Sequence, residues 1–153
     1  MNAQTRGAVV LFVAVAVACS ACGGTSAGSK NSAVSSSARG TGKLDPAVAM
    51  PNAFPSDFPV YPGARLTQAS EVTNNGQTTW GMQWETLDGV DAVQGFYVRK
   101  LNSGDWTISY NGSSGGNFSA IFSRRSNQKD AGILAVELES DVTRITLAFG
   151  VDG

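Results

Sequence analysis

From residue 64 onward, large apolar residues return at every second position in one run after another, and only once at helical spacing. Period two sends alternate side chains to opposite faces of a strand, whereas i, i+3, i+4 spacing marks one stripe of a helix. The clearest run is Trp80, Met82, Trp84 and Thr86 within residues 78–86, with Gly81, Gln83 and Glu85 on the other face. It follows Asn74-Asn75-Gly76-Gln77, whose Asn-Gly pair tolerates the positive φ of a tight hairpin. The spacing therefore predicts a hairpin of strands at 64–72 and 78–86. Val90, Val93, Tyr97 and Leu101, with Phe96 beside them, predict a helix over 89–103. Asp88 is its expected cap, Asp91 suits the positive end of its dipole, and Gly104 stops it. Four more strands follow. Trp106, Ile108 and Tyr110 mark the third; Phe118, Ala120 and Phe122 the fourth; Leu134, Val136 and Leu138 the fifth; Ile145, Leu147, Phe149 and Val151 the sixth.

The order ββαββββ has hairpin-length links, which imply an antiparallel sheet of about six strands in an α+β fold. The single helix must cover one sheet face. One domain over 58–153 accounts for all these elements.

Several chemistries are excluded. The chain has no histidine, so a Ser-His-Asp triad, a Cys-His dyad and a His-based zinc site are absent. Its two cysteines, Cys19 and Cys22, both precede the domain, which therefore has no disulfide and no thiolate ligand. The net charge of −1 gives no basic patch for nucleic acid or anionic lipid. No cofactor or metal is expected.

The N-terminus is an address. Residues 1–7 carry one basic and no acidic side chain, and Ala8–Ala18 is an unbroken apolar run. That run suits a signal-peptide core and falls short of the roughly 20 residues a membrane span needs. Val15-Ala16-Val17-Ala18-Cys19 resembles the lipobox of bacterial lipoproteins, with Ala at position 16 where that family usually has Leu. The resemblance implies cleavage after residue 18 and a diacylglycerol on Cys19, with Cys22 the alternative. It also implies a membrane-anchored domain facing the periplasm or exterior, on the outer membrane where the envelope has two. A plain secretory signal cut near Ala21 is the competing reading. Residues 23–43 are rich in Ser, Gly and Ala, and all five prolines fall between 46 and 62. Such composition cannot bury enough apolar surface to offset ordering, so 19–57 is expected as a tether, loose and then stiffer. As a coil it would reach roughly 30–35 Å.

A helix on a curved antiparallel sheet is similar to helix-grip folds, which often bind hydrophobic ligands between the two. The residues Phe58-Pro59-Val60-Tyr61-Pro62-Gly63-Ala64, then Phe96-Tyr97 and Gly104-Asp105-Trp106, resemble a pattern in uncharacterised bacterial envelope domains. The architecture is also similar to the C-terminal domains of BamC lipoproteins, which belong to the outer-membrane barrel assembly machinery.

Candidate sites each carry two readings. Trp80, Trp84, Tyr97, Trp106 and Tyr110 either line an apolar pocket between sheet and helix or pack as core. Glu137, Glu139 and Asp141 alternate on one strand face, as Ca²⁺ ligands or as a solvated outer face. Asp88 and Asp91 are an acid–base pair or helix-start residues. Gly112–Gly116 is a phosphate cradle or a hairpin loop, and the loop lacks the Gly-Lys-Ser/Thr ending of a cradle. Arg124, Arg125 and Lys129 bracket one turn, to meet lipid head groups or an acidic partner, or to discourage edge pairing.

With no catalytic constellation, the expected function is a non-enzymatic lipoprotein that binds a protein partner in the envelope through a sheet face or edge. The alternative is a small-molecule or lipid carrier. A filled space under the helix argues against the carrier, an open cavity of several hundred Å³ argues for it, and an exposed apolar patch argues for partner binding.

Overall fold

The computed structural model describes residues 39–152, so Cys19, Cys22 and the signal segment lie outside the described residues. The elements are β1 (Arg65–Asn74), β2 (Gln77–Thr86), α1 (Val90–Lys100), β3 (Trp106–Ser114), β4 (Asn117–Arg124), β5 (Ala131–Glu139) and β6 (Val142–Asp152). They form one six-stranded sheet in the order β1-β2-β6-β5-β4-β3, antiparallel throughout. The fold is α+β, with the expected ββαββββ order.

Tight turns set the registers. Asn75 and Gly76 both have positive φ, as do Gly115 and Gly116, the geometry that matches strand twist in two-residue hairpins. The predicted loop after β3 is thus mostly strand, with only Gly115-Gly116 left to turn. At the β5–β6 turn Ser140 and Asp141 take positive φ without glycine. Asp141 therefore leaves the strand, and the expected Glu137–Glu139–Asp141 row ends at Glu139.

One sheet face is buried. Trp80, Met82 and Trp84 from β2 meet Ile145, Leu147 and Phe149 from β6, Leu134 and Val136 from β5, and Phe118 and Phe122 from β4. Helix α1 lies over β4 and β5 and buries Val93 and Tyr97, with Leu101 just past its end. Gly132 is buried because Phe122 lies across it; a Cβ there would sit 2.7 Å from the ring and 2.6 Å from the Ala148 carbonyl oxygen. Leu138, expected to follow Leu134 and Val136 inward, is exposed, because it faces an open cleft at the start of α1.

The proline-rich segment differs from the expected tether. Residues 39–62 form a strap laid against the sheet. The Gly40 and Gly42 amides donate to the Leu87 and Asp141 carbonyls, and the Val48 amide to the Leu66 carbonyl. The Asp45 amide donates to the buried Glu85 carboxylate at 2.8 Å, which also faces Arg144 at 3.7 Å. Phe54 and Phe58 then enter the core. Phe58 packs on Trp84, Trp106, Phe122 and Phe149, with ring centroids 5.7–6.4 Å apart. Two aromatic side chains provide the apolar area that the segment's average composition lacks, which is why it packs down.

The strap defines two ends of the sheet. The proximal end holds Arg39–Gly42, the start of α1 and the β3–β4 and β5–β6 turns. The distal end holds the β1–β2 and β4–β5 turns.

Candidate functional site

Trp80, Trp84, Tyr97 and Trp106 are buried in the core, each at most 5 % exposed. Phe54 and Phe58 fill the space among the three tryptophans. The Trp84 Nε1–H and the Tyr97 hydroxyl have no hydrogen-bond partner there, and burial pushes the Tyr97 hydroxyl well above the usual phenol range. Tyr110 does not join them. A bulge between Ile108 and Tyr110 inserts one residue, and period two then sends Tyr110 to the opposite face, where it is 62 % exposed.

That shift creates a row. Tyr110 lies opposite Ile121, Ile121 opposite Ile133, Ile133 opposite Ala148, Ala148 opposite Gly81, and Gly81 opposite Ser70. The row crosses all six strands on the outer face, with Ile121 and Ile133 both exposed. The row on its distal side reads Thr107, Ser123, Ala131, Gly150, Thr79 and Val72. The row on its proximal side reads Gly112, Ser119, Ala135, Thr146, Gln83 and Gln68. None of the chain's 11 basic and 12 acidic residues falls in these three rows of six. Charge returns only toward the strand ends, as Glu137, Arg144, Glu85 and Arg65 at the proximal end. A solvated antiparallel face ordinarily alternates polar and charged residues outward, and depletion of charge with aromatic enrichment marks the core of an interface. The face is uneven. In the central row the bulk is on β3, β4 and β5, and on β1, β2 and β6 a depression of about 270 Å³ is lined by Ser70, Gly81, Gln83 and Thr146; in the proximal row the order reverses, with a depression of about 460 Å³ beside Gly112, Ser119 and Ala135 on β3, β4 and β5 and the larger Gln68, Gln83 and Thr146 on the other strands.

A cleft of about 990 Å³ opens at the proximal end, between the start of α1, the β3–β4 turn and the strap. Leu87, Val90 and Leu138 give it apolar walls, and Arg39, Asp91, Asn117 and Asp141 give it a polar rim. Asp88 does not cap the helix. Gly89 is the N-cap and makes no side-chain cap. Asp88 instead accepts the Tyr61 hydroxyl at 3.0 Å and faces Arg39 at 3.6 Å, so it fastens the strap and raises the Tyr61 pKa beyond what burial does. Asp91 lies in the first helical turn.

The basic residues of the β4–β5 turn are engaged. Arg124 makes two hydrogen bonds to Asp57, at 2.6 and 2.7 Å, faces Asp105 and Asp130, and stacks 4.4 Å from the Trp106 ring centroid. The guanidinium holds the Asp57 carboxyl below the usual carboxylate range; the Ser126 hydroxyl and amide, then Arg124, do the same for Asp105. Lys129 pairs with Asp152, and Arg125 donates to the Gly104 carbonyl. These residues bind the strap and the turns at the distal end, away from Arg39. Glu139 pairs with Arg144. Among the described residues no three His, Cys, Asp or Glu side chains group to hold a metal ion, and no helix is long and apolar enough to cross a membrane.

A family model described as START domain-like matches residues 66–139, from β1 through β5. The match covers slightly less than half of the chain. With the sheet order and the helix across it, this similarity places the architecture among helix-grip-like folds. No curated protein matches the chain.

Proposed function

We propose that this chain is a non-enzymatic binding module, held at a bacterial membrane by a lipid on Cys19 or Cys22, that docks a protein through its outer sheet face. One observation carries the reading: three adjacent rows of that face hold no charged residue and centre on Tyr110, Ile121 and Ile133. Intact-mass analysis of Cys19→Ala and Cys22→Ala chains expressed in a bacterial host tests the anchor; finding no lipid mass on the unsubstituted chain removes it. A photo-crosslinking amino acid at Ile121, used in living cells, tests the face. Protein adducts from residue 121, absent with the same probe at Asn75 in the distal turn, are expected. Equal or no adducts at both positions would end the reading.

The cleft favours a second reading, a carrier of a small apolar or amphipathic ligand, and the START-like similarity is compatible with a ligand-binding fold. The ligand would sit at the end of the helix, because Phe54 and Phe58 occupy the centre. A fluorescent fatty-acid probe that binds the protein and is lost on Val90→Arg supports this reading; binding unchanged by Val90→Arg opposes it.

A further inference from the structure

The uncharged centre of the outer face is also complementary to itself in shape along its central row. In the central row the large side chains Tyr110, Ile121 and Ile133 occupy one half, and the small residues Ala148, Gly81 and Ser70 the other. A two-fold axis parallel to the strands and midway between two facing sheets would set each large half on the partner's small half. Tyr110 would then oppose Ser70, Ile121 oppose Gly81 and Ile133 oppose Ala148 of the second copy. A two-fold interface requires such self-complementarity, because the same patch serves both subunits.

The axis has a second consequence. Rotation about the strand direction keeps both proximal ends on the same side, so both straps start from one side at Arg39. Two copies anchored in one membrane can pair in this way. A two-fold across the strands would set large on large and send the two proximal ends apart.

The area suffices. Six strands at about 4.8 Å and three rows at about 6.8 Å give a face of roughly 580 Å² per copy. Two copies bury about 1,150 Å² in total, just above the 1,000 Å² or so that separates specific interfaces from incidental contacts. Packed sheets lie about 10 Å apart, a gap that isoleucine and tyrosine from one side can fill against alanine, glycine and serine on the other.

We infer that the outer face docks a second copy of this chain, through a two-fold axis parallel to the strands. The inference rests on the reading of this face as an interface and names its partner. Disulfide trapping in the membrane of the expressing cell tests it, in a Cys22→Ser background that leaves Cys19 for the lipid. Chains with Tyr110→Cys and chains with Ser70→Cys, co-expressed under separate tags and treated with a mild oxidant, should join into a product of twice the chain mass carrying both tags. Neither substitution alone should give that product, because the two copies of each residue lie on opposite edges of the pair. Adding Ile121→Asp alone should cut the yield at least ten-fold while far-ultraviolet circular dichroism shows the domain still folded, since Ile121 is exposed and no acidic residue lies opposite it. Self-joining of Tyr110→Cys chains would overturn the proposed axis. Absence of a mixed product, with residue 121 crosslinked to a protein of another mass, would overturn the second copy and leave the docking face standing. Absence of both would remove the two readings together.

Discussion

Replacing Phe58 by alanine isolates the part of the fold that the sequence pattern does not show. Phe58 is only 4 % exposed, and its ring touches side chains from β2, β3, β4 and β6 at once. No side chain nearby is free to fill the hole, because Trp84, Trp106, Phe122 and Phe149 are themselves packed on all sides. The expected loss is therefore about 3–5 kcal/mol, the usual cost of a large-to-small change at a well-packed aromatic position. At about 4 °C per kcal/mol for a domain of this size, the midpoint of thermal unfolding should fall by roughly 12–20 °C. Tryptophan fluorescence reports it directly, since Trp84 and Trp106 both contact the ring. Val48→Ala is the control on the same strap: Val48 is 43 % exposed and should shift stability by less than about 0.5 kcal/mol. A Phe58→Ala loss below about 1 kcal/mol would refute the strap as part of the core and return residues 39–57 to a tether.

Arg124→Gln should destabilise the domain by about 2–3 kcal/mol in urea unfolding, because it leaves Asp57, Asp105 and Asp130 facing one another and removes the cation from Trp106. The Asp57 carboxyl is held below its unfolded value, so its contribution is fully present above about pH 4 and is lost as pH falls through the folded value. The difference in melting temperature between the unsubstituted chain and Asp57→Asn should accordingly stay constant from neutral pH to about pH 5 and shrink below about pH 4. A difference that grows on acidification would contradict the assignment. Gly42→Val should detach the strap at the proximal end, since a Cβ there would stand 2.7 Å from the Ser140 carbonyl oxygen. Faster proteolysis within residues 39–50 would report it.

The sheet was legible because each strand keeps one strict two-residue alternation against a single buried face. Trp80, Met82 and Trp84, or Phe118, Ala120 and Phe122, can satisfy that pattern in only one register. Tyr110 broke the reading because a bulge leaves no mark in apolar spacing: Trp106, Ile108 and Tyr110 alternate in the chain but not in the sheet. Aspartate before an apolar stripe ordinarily caps the helix, yet at Asp88 Tyr61 and Arg39 compete for the carboxylate from the strap. The strap itself was hidden by its glycines and prolines. Gly40 and Gly42 serve close passage past the β5–β6 turn, and the same residues in a loose linker would read identically. Phe54 and Phe58 were the available signal, two large aromatics spaced four apart in a segment rich in glycine, proline and alanine. The outer face was also open to reading: Ser119, Ile121 and Ser123, then Ala131, Ile133 and Ala135, alternate without a charge. That signal lies in what the outward positions lack, and alternation of the inward residues draws attention away from it.

Whether the outer face is covered where the protein works is the claim on which the account turns. Cysteine accessibility at residue 121 measures it, with Ile121→Cys in a Cys22→Ser background and Asn75→Cys as the exposed reference. The probe is a hydrophilic maleimide, applied to intact envelopes and then to purified protein diluted to nanomolar concentration. If the face is covered, residue 121 labels at least ten-fold more slowly than residue 75 in the envelope and at a comparable rate after dilution. Equal labelling of the two positions in the envelope would show an open, solvated face and contradict the claim.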